Sequence, residues 1–212
     1  FWRPGHRGGI NGKKLLPPNN WTSLFEGGAW EYDSNLDEFY LHLFAKKQPD
    51  LNMDNPAVRE EVKKILRFWL DMGVDGFRED VITFVSKAPG LPDAYPKLPA
   101  ANGMKYYSNR PEVHAYLKEF KRDVFNNYDC FVVGESPMTT ADVALSYVTE
   151  GPEHVLDEMI AFSHMEADCF YNEVLPSKFN LVKMKSNTAN SMVFTFLSQQ
   201  IQATAVTVTY GT

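Results

Sequence analysis

The sequence predicts an α/β fold in which parallel strands form a barrel and helices lie outside it. Two segments show the same order of elements, an amphipathic helix, then a short β-branched strand, then an acid: Asp80 follows the first strand and Glu135 the second. In parallel barrels the catalytic groups lie at the carboxyl ends of the strands, so the paired acids favour a barrel over an open sheet. The glycine-rich nucleotide loops that mark open doubly wound sheets do not occur in the sequence.

Residues 1–54 are predicted to form a small loop-rich domain. They are rich in Gly, Pro, Asn and aromatic residues and show no helical periodicity. Their one alternating run, residues 38–44, is typical of a strand in a small hairpin or sheet. We therefore predict two units, residues 1–54 and residues 55–212.

Helices and strands alternate through the second unit. Asn55 is a good N-cap residue, Pro56 suits the first helical position, and Gly73 suits the end of the helix. The predicted elements after this helix are a strand at 74–77, a long loop at 88–109, a helix from 111, a strand at 130–133, a helix from about 140 to 148, a strand at 155–162, a helix-like stretch at 191–200 and a β-rich stretch at 204–210. A loop of such length is usually functional.

The composition excludes several classes of partner. With 21 basic and 27 acidic residues the net charge is −6, so we predict no nucleic acid or membrane partner and a neutral substrate. We expect neither a membrane span nor a signal peptide, because the sequence has no apolar run of that length and no charged leader. Only Cys130 and Cys169 are present, which is consistent with a reducing cytoplasm. No spacing of His, Cys or Asp predicts a metal site, no cofactor is predicted, and the oligomeric state is unknown.

Two carboxylates that face each other across a pocket are suited to acetal hydrolysis, because one can attack the anomeric carbon while the other protonates the leaving oxygen. Period-two alternation places Arg78 on the same face as Asp80, where its charge keeps the carboxylate ionised as a nucleophile. Glu135 follows an apolar strand that can hold it protonated. From the residues alone, the alternative is that both acids are helix caps or surface groups at strand ends.

Three motifs resemble signature regions of the α-amylase family of glycoside hydrolases, family 13. Residues 76–82, Gly-Phe-Arg-Glu-Asp-Val-Ile, and residues 133–135, Val-Gly-Glu, resemble two signatures of the family. Residues 48–52, Gln-Pro-Asp-Leu-Asn, resemble the extra signature of its oligo-1,6-glucosidase branch. The resemblance implies a retaining (β/α)8 barrel in which Asp80 is the nucleophile and Glu135 the general acid/base.

The resemblance also implies which residues contact the substrate. Arg78 is implied as the electrostatic partner of the nucleophile. Gln48, Val81 and Asn52 imply a preference for α-1,6 linkages in short isomalto-oligosaccharides. His164 resembles a family position near the pocket, with a structural histidine as the alternative. Trehalose-6-phosphate hydrolases and α-1,4-glucosidases (maltases) share much of this pattern and stay open, as does a non-catalytic barrel homologue that acts as a binding or escort subunit.

The sequence departs from the family pattern in two ways. Glu79 stands where relatives usually carry a hydrophobic residue, often Met, and alternation turns its side chain away from the pocket. The family's early Asp and His motif does not occur, nor does its later Asn-His-Asp motif between residues 181 and 191. We therefore expect an internal fragment that is inactive alone. It would hold the end of a small domain inserted after strand 3, at 1–54, and a partial (β/α)8 barrel from about strand 4 onward.

Overall fold

The computed structural model describes residues 2–8, 12–25, 27–98, 100–149, 151 and 154–162. His164 and the elements expected at 191–200 and 204–210 lie outside these residues. In chain order the described residues form β1 (Trp2–Arg3), β2 (His6–Gly8), β3 (Lys14–Leu16), β4 (Trp30–Asp33), β5 (Glu38–Leu41), α1 (Pro56–Asp71), β6 (Gly76–Glu79), α2 (Pro111–Asp123), β7 (Phe131–Ser136), α3 (Ala141–Val148) and β8 (Glu158–Ala161).

A small antiparallel unit precedes the first helix. β4 and β5 form a hairpin with Trp30 opposite Leu41, and β1 pairs with the other edge of β5. β2 and β3 form a separate two-stranded sheet. The strand predicted at residues 38–44 is confirmed over Glu38–Leu41, where Phe39 and Leu41 are the buried members of the alternating pattern.

The second sheet is parallel, with the strand order β6–β7–β8. Phe77 lies opposite Val132, and Gly134 lies opposite Met159. At Gly76 the backbone of Phe131 approaches so closely that a Cβ atom has no room, which explains the glycine at the start of β6. The predicted parallel arrangement is therefore confirmed for these three strands.

The helix termini follow the capping signals in the sequence. The Asn55 side chain accepts a hydrogen bond from an N–H group of the first turn of α1, and Pro56 occupies the first helical position. α1 ends before Gly73, which has a φ of +94°. Thr140 caps α3 by accepting a hydrogen bond from the Val143 N–H. None of the described helices combines the length and the apolar character needed to cross a membrane.

The strand ends differ from the prediction because neighbouring elements set them. β6 starts at Gly76, two residues late, because the N–H of Val74 donates to a carbonyl in the last turn of α1. β8 starts at Glu158 because the N–H groups of residues 155 and 156 both donate to the end of α3. β7 continues to Ser136, beyond its predicted end, because it has a parallel partner on each side.

Two clusters of buried apolar side chains stabilise the fold. The first fills the layer between the parallel sheet and the helices, and its members include Leu66, Leu70, Val113, Leu117, Phe120, Val132, Tyr147 and Met159. The second joins the small antiparallel unit to the long loop, through Trp21, Trp30, Phe39, Leu41, Leu43, Phe84, Leu91, Ala94 and Tyr107. Much of the loop predicted at 88–109 therefore packs on the small unit. The division of the chain at residue 54 stays a prediction.

Candidate active site

The carboxyl ends of β6 and β7 bring the two predicted acids to one edge of the parallel sheet. The last pair of residues that lie opposite each other on these two strands is Glu79 and Gly134. The next residues, Asp80 and Glu135, therefore lie side by side. Because side chains alternate along a strand, Arg78 lies on the face that Asp80 continues. Local strand geometry thus places all three groups on one side of the sheet.

The guanidinium group of Arg78 contacts both acids. Its Nη1 atom lies 2.5 Å from Oδ1 of Asp80, and its Nη2 atom contacts Oε2 of Glu135. The two carboxyl groups are therefore held close together around one cation.

The two acids differ in their exposure to solvent. The Glu135 side chain is 12% exposed, whereas the side chains of Asp80 and Arg78 are 67% and 49% exposed. Carboxyl pairs that divide the acid and nucleophile roles are distinguished by environment, the enclosed group serving as acid and the open group as carboxylate. The catalytic roles expected for Glu135 and Asp80 stay predictions.

A tight turn follows Asp80. Val81 has a φ of +47°, a left-handed conformation that is rare for a β-branched residue and is held only where surrounding contacts require it. A 3-10 turn, Ile82–Phe84, comes next and is closed by a hydrogen bond from the Phe84 N–H to the Val81 carbonyl at 3.0 Å. The Val81 side chain packs against the second apolar cluster. This nucleophile turn, residues 80–84, thus lies where the small unit meets the sheet.

A buried hydroxyl pair ties one side of the nucleophile turn to β7. The Ser136 hydroxyl donates to Thr83 Oγ1 at 3.1 Å and also contacts Thr139. The N–H of Asn109 donates to the Thr83 carbonyl at 2.9 Å. The sequence analysis missed Thr83 and Ser136 because isolated hydroxyl residues carry no recognisable spacing signal.

The other side of the turn is tied to the 48–52 signature. Nζ of Lys87 donates to the Phe84 carbonyl at 2.9 Å and to Oδ1 of Asp50 at 2.5 Å. Burial raises the pKa of Asp50 and lowers that of Lys87, and their mutual attraction opposes both shifts. The sequence analysis missed Lys87, although Asp50 lies inside a motif that it singled out.

The structure does not join the other predicted substrate-binding residues to the acids. Gln48 is exposed, and its side chain accepts a hydrogen bond from the Ala45 N–H at 3.2 Å. Oδ1 of Asn52 is buried and has no hydrogen-bond partner within the described part of the chain. His164 lies outside that part. The binding roles of Gln48, Asn52, Val81 and His164 stay predictions.

Two further acids lie beside the site, on opposite faces of the sheet. Glu79 shares the face of Phe77, which packs against the first apolar cluster, and burial raises the pKa of Glu79 to about 7. Arg78 on β6 and Glu158 on β8 both lie opposite Val133 of β7, so their side chains share a face of the sheet. Burial raises the pKa of Glu158 to about 7 as well. The sequence analysis missed Glu158, which the alternation of β8 could have revealed.

Comparison with known proteins identifies the family. A sequence model of the α-amylase catalytic domain matches residues 1–211. The chain belongs to the α-amylase family. The resemblance carried by residues 76–82 and 133–135 is thus confirmed, and the (β/α)8 barrel of this family accounts for the parallel β6–β7–β8 sheet.

The α-amylase family relatives include an oligo-1,6-glucosidase of Parageobacillus thermoglucosidasius, 50% identical over 170 residues that make up 79% of this chain and 29% of the relative. The crystal structure of trehalose-6-phosphate hydrolase from Bacillus licheniformis has a TM-score of 0.72 and 35% identity, covering 88% of this chain and 32% of that chain. The crystal structure of isomaltulose synthase from Erwinia rhapontici NX5 matches this chain with a TM-score of 0.75 and 32% identity. The match covers 92% of this chain and 34% of that chain. The chain therefore spans about a third or less of the length of these relatives.

Proposed function

We propose that this chain is part of the catalytic domain of a retaining α-glucosidase that acts on short α-glucosides, with α-1,6-linked isomalto-oligosaccharides as preferred substrates. The observation that carries the proposal is the contact of one guanidinium group, that of Arg78, with both Asp80 and Glu135. Retaining glycosidases need two carboxyl groups about 5 to 5.5 Å apart, and a shared cation keeps a pair of acids close. Relatives named oligo-1,6-glucosidase support the choice of substrate class.

In the proposed first step, a carboxylate oxygen of Asp80 attacks the anomeric carbon of the glucosyl residue. The bond to the leaving oxygen breaks as Glu135 donates its proton to that oxygen, which leaves a glucosyl ester on Asp80. In the second step, the Glu135 carboxylate takes a proton from water, and the water oxygen attacks the anomeric carbon and releases Asp80. Two inversions retain the configuration of the sugar.

Arg78 contacts both of the proposed catalytic acids. Its guanidinium group contacts Asp80, which helps to hold the carboxylate of the nucleophile in place. Its contact with Glu135 holds the general acid beside the nucleophile.

The location proposed for this activity is the cytoplasm. Within the described part of the chain, Cys130 is a free thiol, as is usual in reducing compartments. An oligosaccharide is the one partner that the proposal requires. A second candidate function, hydrolysis of trehalose 6-phosphate, is favoured by the structural likeness to the Bacillus licheniformis enzyme.

The test uses a chimera in which the matching residues of this chain replace the 170-residue segment of the Parageobacillus thermoglucosidasius relative. Asp80→Asn should lower kcat on aryl α-glucosides and isomaltose by about 10⁴-fold or more, because no nucleophile remains. Glu135→Gln should lose far more activity on isomaltose than on aryl glucosides whose leaving groups need no proton. Equal losses on both substrates would show that Glu135 is not the general acid. Glu61→Gln, on the exposed surface of α1, is the control and should leave kcat unchanged.

The linkage preference is tested on the same chimera. The kcat/KM ratio should be higher for isomaltose than for maltose or trehalose 6-phosphate, in keeping with the signature at 48–52 and with Val81 after the nucleophile. Faster cleavage of maltose would assign an α-1,4-glucosidase. Faster cleavage of trehalose 6-phosphate would assign the second candidate.

A further inference from the structure

A buried ion pair connects the small antiparallel unit to the residues that follow the nucleophile. The Lys87 side chain is only 2% exposed and that of Asp50 is 16% exposed, and their charged atoms lie 2.5 Å apart. The two residues are 37 positions apart in the sequence. Burying two charges is costly unless their geometry is good and further hydrogen bonds satisfy them, and both charged groups here have hydrogen-bond partners.

Each residue of the ion pair also makes a hydrogen bond that ties it to one side of the contact, Asp50 to the small antiparallel unit and Lys87 to the nucleophile turn. The N–H of Asp50 donates to the Leu41 carbonyl at the end of β5, at 2.8 Å, which fixes Asp50 to the hairpin. Nζ of Lys87 donates to the Phe84 carbonyl at 2.9 Å, and that carbonyl belongs to the last residue of the nucleophile turn. Hydrogen bonds and the Asp50–Lys87 ion pair therefore connect β5 to the turn that begins at Asp80.

The turn needs such support because its backbone is strained. Val81 directly follows Asp80 and holds a left-handed φ of +47°. The hydrogen bond from the Phe84 N–H to the Val81 carbonyl closes the turn around this residue. The bond from Lys87 to the Phe84 carbonyl is one of the contacts that hold this turn, beside those of Thr83 with Ser136 and Asn109.

We propose that Asp50 and Lys87 are positioning residues, which fix the nucleophile turn so that the Asp80 carboxylate is aligned for attack on the anomeric carbon. The inference rests on the proposed function, since it assigns Asp80 as nucleophile. It gives the Gln-Pro-Asp-Leu-Asn signature a role in the chemical step through Asp50, in addition to any contact of Gln48 or Asn52 with substrate. Misplacing a reacting group by about 1 Å can cost on the order of 10²-fold in rate.

The experiment measures kcat, KM and the free energy of unfolding on the chimera described above. Lys87→Met keeps the apolar stem but removes the Lys87 charge beside Asp50 and the Lys87 donor to the Phe84 carbonyl. The double variant Asp50→Asn with Lys87→Met removes both charges, and Asn at position 50 retains access to water. Lys46→Met is the matched control, because Lys46 pairs with Glu31 in the same small unit at 2.6 Å but is exposed.

Lys87→Met should lower both stability and kcat, with kcat falling by about 10- to 100-fold on an aryl α-glucoside and KM little changed. The double variant should regain most of the stability, because neither charge is left uncompensated, while its kcat stays low because the Phe84 carbonyl still lacks the Lys87 donor. Hydrogen exchange at the Phe84 amide should be faster in both variants than in the parent. Lys46→Met should change none of these quantities.

Recovery of kcat together with stability in the double variant would overturn the positioning role and leave a purely structural pair. If Lys87→Met fails to fold, Asp50→Asn alone makes the same test, with an expected loss of about tenfold in kcat, and a folded Asp50→Asn variant with the kcat of the parent overturns the inference. A parent chimera without glucosidase activity refutes the proposed function itself, and with it the assignment on which the inference rests. The parent and the variants thus separate the two kinds of failure.

Discussion

Glu79 carries a carboxyl group into the apolar layer between the parallel sheet and its helices. Its Oε2 atom is buried and has no hydrogen-bond partner within the described residues, and burial raises its pKa from the ordinary 4.5 to about 7. The folded state therefore binds the proton more tightly than the unfolded chain, so stability must fall as the pH rises from about 4.5 to 7.

Glu79→Met should remove this pH dependence. A pKa difference of one unit corresponds to about 1.4 kcal/mol. Between pH 4.5 and pH 8, the free energy of unfolding of the variant should therefore increase relative to that of the parent chimera by on the order of 3 kcal/mol. The measurement is urea unfolding of both proteins at the two pH values. Glu61→Gln is again the control and should show no such pH-dependent difference. A gain of equal size at pH 4.5 and pH 8 would show that packing, and not the charge of Glu79, sets the effect.

Single residues could be predicted from the sequence where the determining contacts are local. Arg78 and Asp80 share a face because strand side chains alternate, and the structure places their charged atoms 2.5 Å apart. The contact of Arg78 with Glu135 depends on the pairing of two strands, and Lys87 finds Asp50 only after the small unit has packed on the loop. Such pairs follow from tertiary packing and have no signal in the chain.

The helices α1 and α2 are joined by a charged cluster around one buried lysine. Nζ of Lys63 lies 2.9 Å from carboxylate oxygens of Glu60 and Glu119 and 3.0 Å from one of Asp123. Its side chain is only 8% exposed, and these contacts, with Glu60 first, raise the pKa of Lys63. Lys63→Met should therefore lower the free energy of unfolding by about 2 kcal/mol, because it removes the buried cation shared by the two helices, while Glu119 keeps its pair with Arg59 and Asp123 its pair with Arg122.

The neighbouring lysine on α1 provides a matched control. Lys64 pairs with Glu61 at 2.7 Å, and both side chains are well exposed. Lys64→Met should cost no more than about 0.5 kcal/mol, since exposed pairs of this kind contribute little. Denaturant unfolding of both variants in the chimera gives the comparison. Equal losses from Lys63→Met and Lys64→Met would show that the cluster does not stabilise the packing of the helices.

Secondary-structure elements were predicted more accurately where the contacts that define them lie within a few residues of one another in the sequence. The starts of α1 and α3 lie at the predicted positions because Asn55 and Thr140 cap them through bonds within their own first turns. The ends of the strands were placed less accurately, since neighbouring strands and helix termini compete for the same backbone groups. The long loop predicted at 88–109 contains a 3-10 helix, Met104–Tyr106, and its packing against Trp21 and Trp30 could not be deduced from composition.

At the scale of the whole molecule, we predict that the described part of the family barrel is insufficient for activity on its own. The described residues contain the parallel strands β6, β7 and β8, whereas the family barrel has eight. α1 and its C-cap residue, Met72, also present large apolar side chains, Ile65, Phe68, Trp69 and Met72, that are between 46% and 65% exposed. Exposed apolar surface of this kind favours association.

We expect the 212-residue chain alone to self-associate and to turn over an aryl α-glucoside more slowly than about 1 s⁻¹, the low end of typical enzymes. Glucosidase activity requires groups that bind the distorted sugar in the transition state, and each such preorganised contact typically contributes a factor on the order of 10² to 10³ to the rate.

The chain covers 29% of the Parageobacillus thermoglucosidasius relative, so the chimera, which supplies the remaining length, should be both monomeric and active. Size-exclusion chromatography and aryl glucoside cleavage on the two proteins make the comparison. A monomeric 212-residue chain that cleaves the glucoside at about 1 s⁻¹ or faster would contradict the expectation.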